Sequence, residues 1–469
     1  MTNFGIIQTT SKNMLTVLEN SQVSAPPATV GDRILPLTFF DTIWLSRYPV
    51  HQVFFYDSIH SKQYFLETIV PNLKNSLSIT LQHFFPFAGN IILFPNTVEK
   101  KPEIRHVEGD SVAFTIAECT LDFNDLIGNH TRKCDMFYPL VPILGHAKQG
   151  SDYLIIPTFS AQVTLFPNSG FSIGITNHHS LADASTRHHF VKAWSSIAKH
   201  GTDEFFLASG SLPFYERVIQ YPSSLDEVSL NIPGTRAINM EYQPPQLVSP
   251  TDKVRVTFVL TQARINGLKN WLSTQLPKQE YVSSFSVACA YMWHCIAKSY
   301  VHIGERKGED DVERILFGVN WRSRLNPPVP ETYFGNCIGA SFTAKIKTTV
   351  LAGDNGFLTA VELIRKTLSE TLKKKNGVIE DSEKLIKLLF TPVRGFNVSG
   401  SPKIKFYDVD FGWGKPTKHE TISIDYFSMI SVNASKESDA DIEIGVSLPA
   451  KQMDALLSIF SEELDATFH

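Results

Sequence analysis

The chain has 469 residues, of which 43% are hydrophobic and 19% are charged, and its formal net charge is −4. This length gives room for two domains or one large one, and the composition is that of a globular protein with a full core. So small a net charge excludes a global field that would attract nucleic acid or an anionic membrane. An anionic ligand must therefore be held by local charges.

The cysteines and the apolar segments indicate the compartment. Five cysteines, an odd number without a CxxC pair, predict neither a disulfide framework nor a zinc site, which favours a reducing compartment. The sequence shows no run of about 18 apolar residues and no apolar stretch of signal-peptide length at its start. We therefore expect a cytoplasmic protein without a membrane partner.

Apolar spacing predicts the elements of the first half in chain order. Leucine and isoleucine recur at helical spacing over residues 66–81, and residues 161–176 form two β-rich runs joined by the turn 167–170. Helical spacing returns from Phe190. The segment Asn177–Asp183 therefore lies between a buried strand and the start of a helix, a position in which loops often carry catalytic groups.

The second half predicts a similar mixture. We expect residues 1–205 and 251–469 to form an N-terminal and a C-terminal domain, joined by a crossover connection over the Pro-, Ser- and Gly-rich residues 206–250. The individual elements expected are a strand over 254–260, helices near 265–272 and 286–301, an exposed charged loop over 305–313, a strand over 442–446 and a helix over 453–460. Strands and helices mixed in both halves predict an α/β fold.

His179 is the residue most suited to catalysis. A neutral imidazole with a pKa of about 6.5 can take a proton from an alcohol at cellular pH. Asp183 follows four residues later, and the small side chains of Ser180 and Ala182 leave room for a substrate. The alternative is a structural or surface histidine, with Asp183 as a negative charge favoured at a helix N-terminus.

Two other chemistries fit this segment poorly. His178, His188 and His189 lie nearby, but the HExxH pattern of zinc peptidases is absent and no carboxylate or thiol stands at ligand spacing. We therefore predict no metal site. A GxSxG pattern occurs at Gly170–Gly174, but it lies within a predicted β-rich run and not at a strand-to-helix elbow, which disfavours a nucleophilic serine.

Residues 408–416, with the sequence DVDFGWGKP, form a second distinctive segment. Two glycines around Trp413, closed by Pro416, predict a tight and rigid turn. The GxGxxG spacing of a dinucleotide loop is absent, and Pro416 would interrupt the helix that such a loop needs. The residues alone favour a structural role.

The HxxxD motif at His179–Asp183 and the DFGWG motif at Asp410–Gly414 together resemble the BAHD superfamily of plant acyl-CoA-dependent acyltransferases. Either motif alone is weak, but the pair in this order, roughly 230 residues apart, is specific. The resemblance runs through the whole chain and includes Leu35–Asp41, Pro86–Asn90 and residues 322–330.

Two further segments resemble one subgroup of this superfamily. Tyr333–Cys337 (YFGNC) is similar to the marker of the enzymes that acylate the sugars of anthocyanins and other flavonoid glycosides. The match is closest to the anthocyanin malonyltransferases of daisy-type flowers, including the stretch Asp183–Arg187 (DASTR).

The resemblance implies roles for the two motifs. It makes His179, and not His178, the general base, and it turns Asp183 away from the substrate to pair with an arginine, by position Arg322. An aspartate held in this way would fix the loop that carries His179. The DFGWG motif is structural in the family through its glycines, here Gly412 and Gly414, although a catalytic part for its aspartate, Asp410, stays open.

The resemblance also implies binding residues. It places contacts to CoA at Ser283, Ser284 and Phe285, just before a predicted helix, where backbone N–H groups and hydroxyls suit an anionic chain. Ser284 as a plain N-cap is an equally good interpretation. Arg187 would neutralise the free carboxylate of a malonyl group. The alternative is a surface pair with Asp183, worth about 0.3–0.5 kcal/mol.

The fold implied is that of chloramphenicol acetyltransferase, with two α/β domains, mixed sheets and a solvent channel between the domains. The expected enzyme is a monomer without a permanently bound cofactor. It uses an acyl-CoA, malonyl-CoA being favoured, and acylates the sugar 6-hydroxyl of a flavonoid glycoside. Trp413 or a backbone N–H would stabilise the oxyanion. The alternatives are a hydroxycinnamoyl-CoA-dependent enzyme and a non-catalytic binding protein on the same scaffold.

Overall fold

A computed structural model describes residues 14–95, 100–246, 252–276, 282–374, 377–389, 394–426 and 429–468. Within these residues the strands form three sheets. The first has six strands in the order β1-β6-β10-β11-β3-β17. Their bounds are β1 Leu15–Ser24, β3 Val50–Tyr56, β6 Ser111–Cys119, β10 Phe159–Phe166, β11 Gly170–Asn177 and β17 Lys418–Thr421.

The second sheet follows the order β14-β13-β16-β18-β19-β12-β7, and β15 pairs with β13 beside this path. Its strands are β7 Arg132–Lys133, β12 Lys253–Leu260, β13 Val312–Asn320, β14 Ile338–Phe342, β15 Ile346–Lys347, β16 Arg394–Ser399, β18 Met429–Ala434 and β19 Ile442–Pro449. The third sheet has the order β2-β5-β4-β9-β8. Its strands are β2 Arg33–Pro36, β4 Asn90–Leu93, β5 Glu103–His106, β8 Lys148–Gln149 and β9 Leu154–Pro157.

The helices are α1 Phe39–Thr42, α2 Lys62–Tyr64, α3 Val70–His83, α4 Phe123–Ile127, α5 Ala184–His200, α6 Glu204–Ala208, α7 Ser224–Leu230, α8 Pro233–Arg236, α9 Gln262–Gln275, α10 Ser284–His302, α11 Thr348–Leu351, α12 Gly356–Lys373, α13 Gly377–Glu380, α14 Ser382–Leu389 and α15 Ala450–Phe468. None of these described helices is long and apolar enough to cross a lipid bilayer.

Two large apolar cores hold the helices on the sheets. Helices α3 and α5 pack together in the core of the first sheet, and the Trp194 indole N–H donates to the Leu73 carbonyl at 3.1 Å. Helix α10, buried along most of its length, packs against α12 and α15 in the core of the second sheet. The first and second sheets each mix parallel with antiparallel pairs, which confirms the predicted mixed α/β class.

The two large sheets exchange strands. Strand β17, late in the chain, pairs with β3 at the edge of the first sheet, whereas β7, early in the chain, pairs with β12 at the edge of the second. The pairing therefore crosses the domain boundaries predicted from the sequence in both directions. The division at 205 and 251 stays a prediction.

Most elements agree with the spacing, but one prediction was wrong. The charged stretch 305–313 does not end as an exposed loop, because β13 begins at Val312 and the Glu313 side chain is buried. The Trp293 indole N–H donates to a Glu313 carboxylate oxygen at 2.8 Å, which satisfies that buried atom. The predicted helix over 66–81 begins as a π-helical turn at Phe65–Ile69 and continues in α3.

Candidate active site

The loop that carries His179 is fixed at both ends. All eight residues of β11 are buried, and this strand lies between β10 and β3. After it the His178 N–H donates to the Thr158 carbonyl at 2.8 Å, and the Leu181 N–H donates back to the His178 carbonyl at 3.0 Å. Asp183 then caps α5 by accepting from the Thr186 N–H at 2.9 Å. A buried strand and a capped helix thus leave the loop little freedom.

The His179 ring lies in a partly exposed position against an aromatic face. It stacks on Trp44 with ring centroids 3.9 Å apart and an interplanar angle of 11°. The Asn336 amide donates to the His179 carbonyl at 3.0 Å. Within the described residues, the buried Nδ1 of His179 has no hydrogen-bond partner. Stacking on Trp44 therefore orients the ring, and the hydrogen bond from Asn336 holds the backbone that carries it.

Desolvation lowers the pKa of His179, and the positive charge of Arg187 lowers it further. The imidazole is consequently neutral at cellular pH and able to accept a proton. His178 has a different environment, because it is fully buried and its Nδ1 accepts from the Ser180 N–H at 3.2 Å. Burial lowers the pKa of His178 to about 4.

Asp183 makes its contacts away from His179. Its two carboxylate oxygens accept from Arg322 at 2.8 Å and 3.2 Å, and one of them also accepts from the Cys337 N–H at 3.0 Å. Burial alone would raise the pKa of Asp183, but the Arg322 charge and these hydrogen bonds bring it below its usual value. The arginine contact expected from the resemblance is thus present, and both side chains are fully buried.

The segment 333–337 closes around this ion pair. A terminal nitrogen of Arg322 donates to the Gly335 carbonyl at 2.9 Å. The next residue, Asn336, is held by Asp41, whose Oδ1 accepts from the Asn336 backbone N–H at 2.8 Å and from its amide at 3.0 Å. Because that amide also donates to the His179 carbonyl, Asp41 supports the His179 loop through one intervening residue.

Arg187 is buried in the first turn of α5, with 5% of its surface exposed. Its Nε donates to the Gln52 side-chain oxygen at 2.8 Å, and Nη1 lies 3.4 Å from the Asn177 side-chain oxygen. Among the residues that the structure describes, no carboxylate oxygen lies within 4.0 Å of this guanidinium. The interpretation as a surface pair with Asp183 was therefore wrong, because Asp183 is bound to Arg322. Desolvation lowers the pKa of Arg187 to about 10, against the opposing effect of the Asp183 charge.

The three residues expected at the CoA chain lie at the start of α10. Ser283 is the N-cap, and its hydroxyl accepts from the Ser286 N–H at 3.1 Å. The N-cap interpretation of Ser284 was thus wrong by one residue, since the Ser284 hydroxyl accepts from the Lys269 ammonium at 3.0 Å. Phe285 packs partly buried against the core of the second sheet.

The DFGWG segment lies at the other end of α5. Asp410 accepts from Lys199 at 2.7 Å, and about 24 Å of helix axis separates residues 183 and 199. The other Asp410 oxygen accepts from the N–H groups of Gly412 and Gly414 at 2.8 Å and 3.1 Å. Both glycines have a positive φ, of 104° and 94°, which explains the need for glycine. The structure does not bring Asp410 and His179 together.

Trp413 also lies away from His179. Its ring meets the Phe171 ring edge to face, with centroids 5.9 Å apart. Phe171 stands at the opposite end of β11 from Asn177, and six residues of a strand span about 20 Å. Trp413 is therefore not positioned beside the His179 ring.

Sequence reasoning missed the residues that surround the two candidate side chains. Asp41 ends a segment noted only for its family resemblance, Trp44 follows that segment, and Gln52 stands within the apolar strand β3. A buried polar residue inside such a strand needs a partner, and this was the available signal for Gln52. Searching the described residues gives no cluster of His, Cys, Asp or Glu suited to a metal ion.

The fold and the loop after β11 can be compared with those of known protein families. A model of the Transferase family matches residues 14–463, and the chain belongs to this family. The resemblance to the BAHD acyltransferases and the prediction of an acyl-CoA-dependent acyltransferase are thereby confirmed.

Two curated relatives are similar over most of the chain. The first is the malonyl-coenzyme A:anthocyanin 3-O-glucoside-6''-O-malonyltransferase of Dahlia pinnata, which is 54% identical over 96% of this chain and 98% of its own. The second is phenolic glucoside malonyltransferase 1 of Nicotiana tabacum, which is 40% identical over 89% of this chain and 92% of its own.

Solved structures show the same fold. Vinorine synthase superposes with a TM-score of 0.68 at 20% identity, covering 95% of this chain and 98% of its own. TRI101 of F. graminearum, in complex with ethyl coenzyme A, gives a TM-score of 0.64 at 13% identity, covering 91% and 97% of the two chains. At these identities the likeness concerns the fold alone.

Proposed function

We propose that this enzyme transfers the malonyl group of malonyl-CoA to the sugar 6-hydroxyl of an anthocyanin or another flavonoid glucoside. The observation that supports malonyl-CoA as the acyl donor is the environment of Arg187. This buried guanidinium lacks a carboxylate partner among the described residues, and its charge lowers the pKa of His179. The activities for which the Dahlia and tobacco relatives are named support the same donor and a glucoside acceptor. The working form proposed is a cytoplasmic monomer.

His179 would act as the general base. It takes the proton of the sugar hydroxyl while the oxygen attacks the thioester carbonyl, and a carbon–oxygen bond forms as the carbonyl electrons move onto oxygen. The tetrahedral oxyanion then collapses, the carbon–sulfur bond breaks, and the departing CoA thiolate takes the proton from the imidazolium. No covalent enzyme intermediate is needed, which fits a histidine that has no serine or cysteine partner among the described residues.

Asp183 and Arg322 would position His179 without touching the substrate. The carboxylate is fully occupied by Arg322, Thr186 and Cys337. A rigid ion pair at the start of α5 keeps the preceding loop in one conformation, and this is how a buried network contributes to pre-organisation.

The oxyanion donor proposed is a backbone N–H rather than Trp413, because Trp413 packs on Phe171 at the far end of β11. For the same reason Asp410, Gly412 and Gly414 are assigned to the structure of their turn. Ser283, Ser284 and Phe285 remain the proposed contacts for the CoA chain, because a helix N-terminus offers free N–H groups to an anion.

The decisive experiment compares donors in wild type and in Arg187→Ala. Leaving a buried anion unpaired typically costs about 3–5 kcal/mol, and solvent in a channel reduces this cost. The ratio of kcat/KM for malonyl-CoA to that for acetyl-CoA should therefore fall at least about tenfold in the variant. Acetyl transfer should be largely retained, since acetyl-CoA has no carboxylate to bind.

The matched control is Lys192→Ala, which removes a positive charge from the exposed face of the same helix. It should leave the donor ratio unchanged. Wild-type preference for coumaroyl-CoA, with no effect of Arg187→Ala, would favour the hydroxycinnamoyl alternative. Absence of turnover with every donor and glucoside acceptor would favour a binding protein.

A further inference from the structure

The buried arginines of this protein differ in how their charge is neutralised. Arg132 lies 2.7 Å from the Glu420 carboxylate, and Arg322 lies 2.8 Å from the Asp183 carboxylate. Arg187 is as deeply enclosed, yet among the described residues its partners are two uncharged amides. A buried charge without a counter-charge is unfavourable for folding, so its presence needs a reason in the function.

Those amides contact two of the three guanidinium nitrogens. Gln52, on β3, accepts from Nε at 2.8 Å, and Asn177, at the end of β11, faces Nη1 at 3.4 Å. The Asn177 nitrogen donates to the His178 carbonyl at 2.8 Å, which fixes its oxygen toward Arg187. No acceptor for Nη2 is recorded within the described residues, so this donor stays available for a ligand.

The neighbouring imidazoles do not supply a counter-charge either. His188 and His419 lie close enough for the Arg187 charge to contribute to the lowering of their pKa values, of which burial is the main cause. Both rings are therefore neutral at cellular pH. Asp183, the carboxylate that acts on Arg187 at longer range, is committed to Arg322. None of these three neighbours therefore neutralises the positive charge of Arg187.

We propose that the uncharged side chain of Gln52 determines donor specificity, because it leaves the Arg187 guanidinium without an internal counter-charge and free to bind the carboxylate of the donor. The proposal rests on the proposed function and adds a residue to it. A carboxylate at position 52 would pair with Arg187 from within the protein, and the donor would then meet a neutral pair. An acidic acyl group would lose its binding energy there, whereas an acetyl group would not.

The test uses the isosteric variant Gln52→Glu with malonyl-CoA and acetyl-CoA as probes. Binding of each to the free enzyme is measured by calorimetry, and kcat/KM is measured with one glucoside acceptor. We expect the ratio of the malonyl-CoA value to the acetyl-CoA value to fall at least about tenfold, both for the binding constant and for kcat/KM.

Two controls separate charge from packing. Gln52→Met keeps the length of the side chain without a carboxylate, and it should retain most of the malonyl preference. Gln452→Glu buries a new carboxylate in the core of the other sheet, on α15, and it should leave the ratio unchanged. Thermal unfolding of each variant shows whether it is folded, and the ratio cancels losses of active protein.

Each outcome decides the proposal. If the malonyl-to-acetyl ratio is unchanged in Gln52→Glu but falls in Arg187→Ala, the role of Gln52 is overturned and the proposed function stays intact. Equal losses in Gln52→Met and Gln52→Glu overturn the charge argument, because packing alone would then set the preference. A wild type without malonyl preference overturns both. If Gln52→Glu does not fold, Gln52→Met still decides, since its loss of preference contradicts the proposal.

Discussion

At the scale of single residues, His179 differs from the histidine of a Ser-His-Asp triad. In a triad the second ring nitrogen donates to a carboxylate, which orients the ring and stabilises the imidazolium. Here the nearby carboxylate of Asp183 is bound to Arg322, and Trp44 orients the ring by stacking. Burial and the Arg187 charge outweigh the opposing effect of Asp183 on the pKa of His179, so the ring stays neutral well into the acidic range, which suits a base that must be unprotonated before each turnover.

Replacing His179 tests this role directly. His179→Ala should lower kcat by at least about 10²-fold, the usual contribution of a general base, and should leave CoA binding within a few-fold of wild type. Steady-state kinetics and calorimetry with CoA measure the two effects. His178→Ala is the comparison, and its loss per folded molecule should be much smaller because that ring is fully buried. Equal losses would mean that the base is misassigned.

The sequence was sufficient for some of these residues and not for others. The spacing of His179 and Asp183 in one short loop made both recognisable. The contacts of Gln52 and Asn177 with Arg187 were not recognisable, because the two residues reach Arg187 from neighbouring strands and no local pattern links them. Trp44 is a further case, since its contact with His179 joins segments about 135 residues apart.

At the scale of elements, the first turn of α5 carries both parts of the site. Asp183 is its N-cap, and Arg187 stands one turn later on the same helix. The pair of Asp183 and Arg322 therefore sets the position of the base loop and of the donor arginine together. This coupling is the reason that a contact away from the substrate should affect turnover.

A double-mutant cycle measures that contact. Asp183→Asn leaves Arg322 buried without a counter-charge, so it should cost about 3–5 kcal/mol of unfolding free energy and a large part of kcat. Combined with Arg322→Met, it should show a coupling of about 0.5–3 kcal/mol in urea denaturation. Additive effects on stability would contradict a direct pair, and full activity of Asp183→Asn would contradict its positioning role.

Element types followed from the sequence more readily than their pairing. The two apolar runs around residue 168 became β10 and β11, and helical spacing marked α9, α10 and α15. Strand β17 was not predictable, because its four residues include two charged side chains and a histidine and its partner lies some 365 residues earlier. Glu313 was assigned to a loop for a similar reason, since its burial depends on a distant tryptophan.

At the scale of the whole molecule, the exchanged strands bring a buried group of charges between the two large sheets. Glu420 on β17 accepts from Arg132 on β7 at 2.7 Å, and Arg255 on β12 lies 3.8 Å from it. Burial would raise the pKa of Glu420, but the two arginines and Lys418 bring it down to about 2. The halves of the molecule are thus joined by an ion network as well as by backbone pairing.

Neutralising Glu420, at the centre of this network, should lower the stability of the fold without changing the specificity for the acyl donor. Glu420→Gln leaves the buried Arg132 guanidinium without its counter-charge, whereas Arg255 keeps Asp425 at 3.7 Å. We expect the free energy of unfolding, measured by urea denaturation, to fall by about 3–5 kcal/mol. Glu19→Gln breaks an exposed pair with Lys74 and should cost less than about 1 kcal/mol. If Glu420→Gln changes the ratio of kcat/KM for malonyl-CoA to that for acetyl-CoA, this network is not separate from the candidate active site.

Mild acid should destabilise the folded protein before most carboxylates titrate. Burial lowers the pKa values of His51, His178 and His419 to about 3, 4 and 3, whereas an unfolded histidine has a pKa of about 6.5. Between these values the unfolded chain binds protons that the folded chain does not, so stability falls as the pH falls below about 6.5. Each histidine contributes a loss of about 1.4 kcal/mol between pH 7.5 and pH 5.5, and the three together about 4 kcal/mol.

Urea denaturation at the two pH values, at constant ionic strength, measures this loss. His419→Phe keeps a ring between Phe54 and Phe406 but binds no proton, so its loss should be smaller by about 1.4 kcal/mol. Phe406→Leu disturbs the same stack without removing a titrating group, and it should lower stability equally at both pH values. Equal stability of the wild type at pH 7.5 and pH 5.5 would show that these imidazoles take up protons in the folded state, against the burial on which the expectation rests.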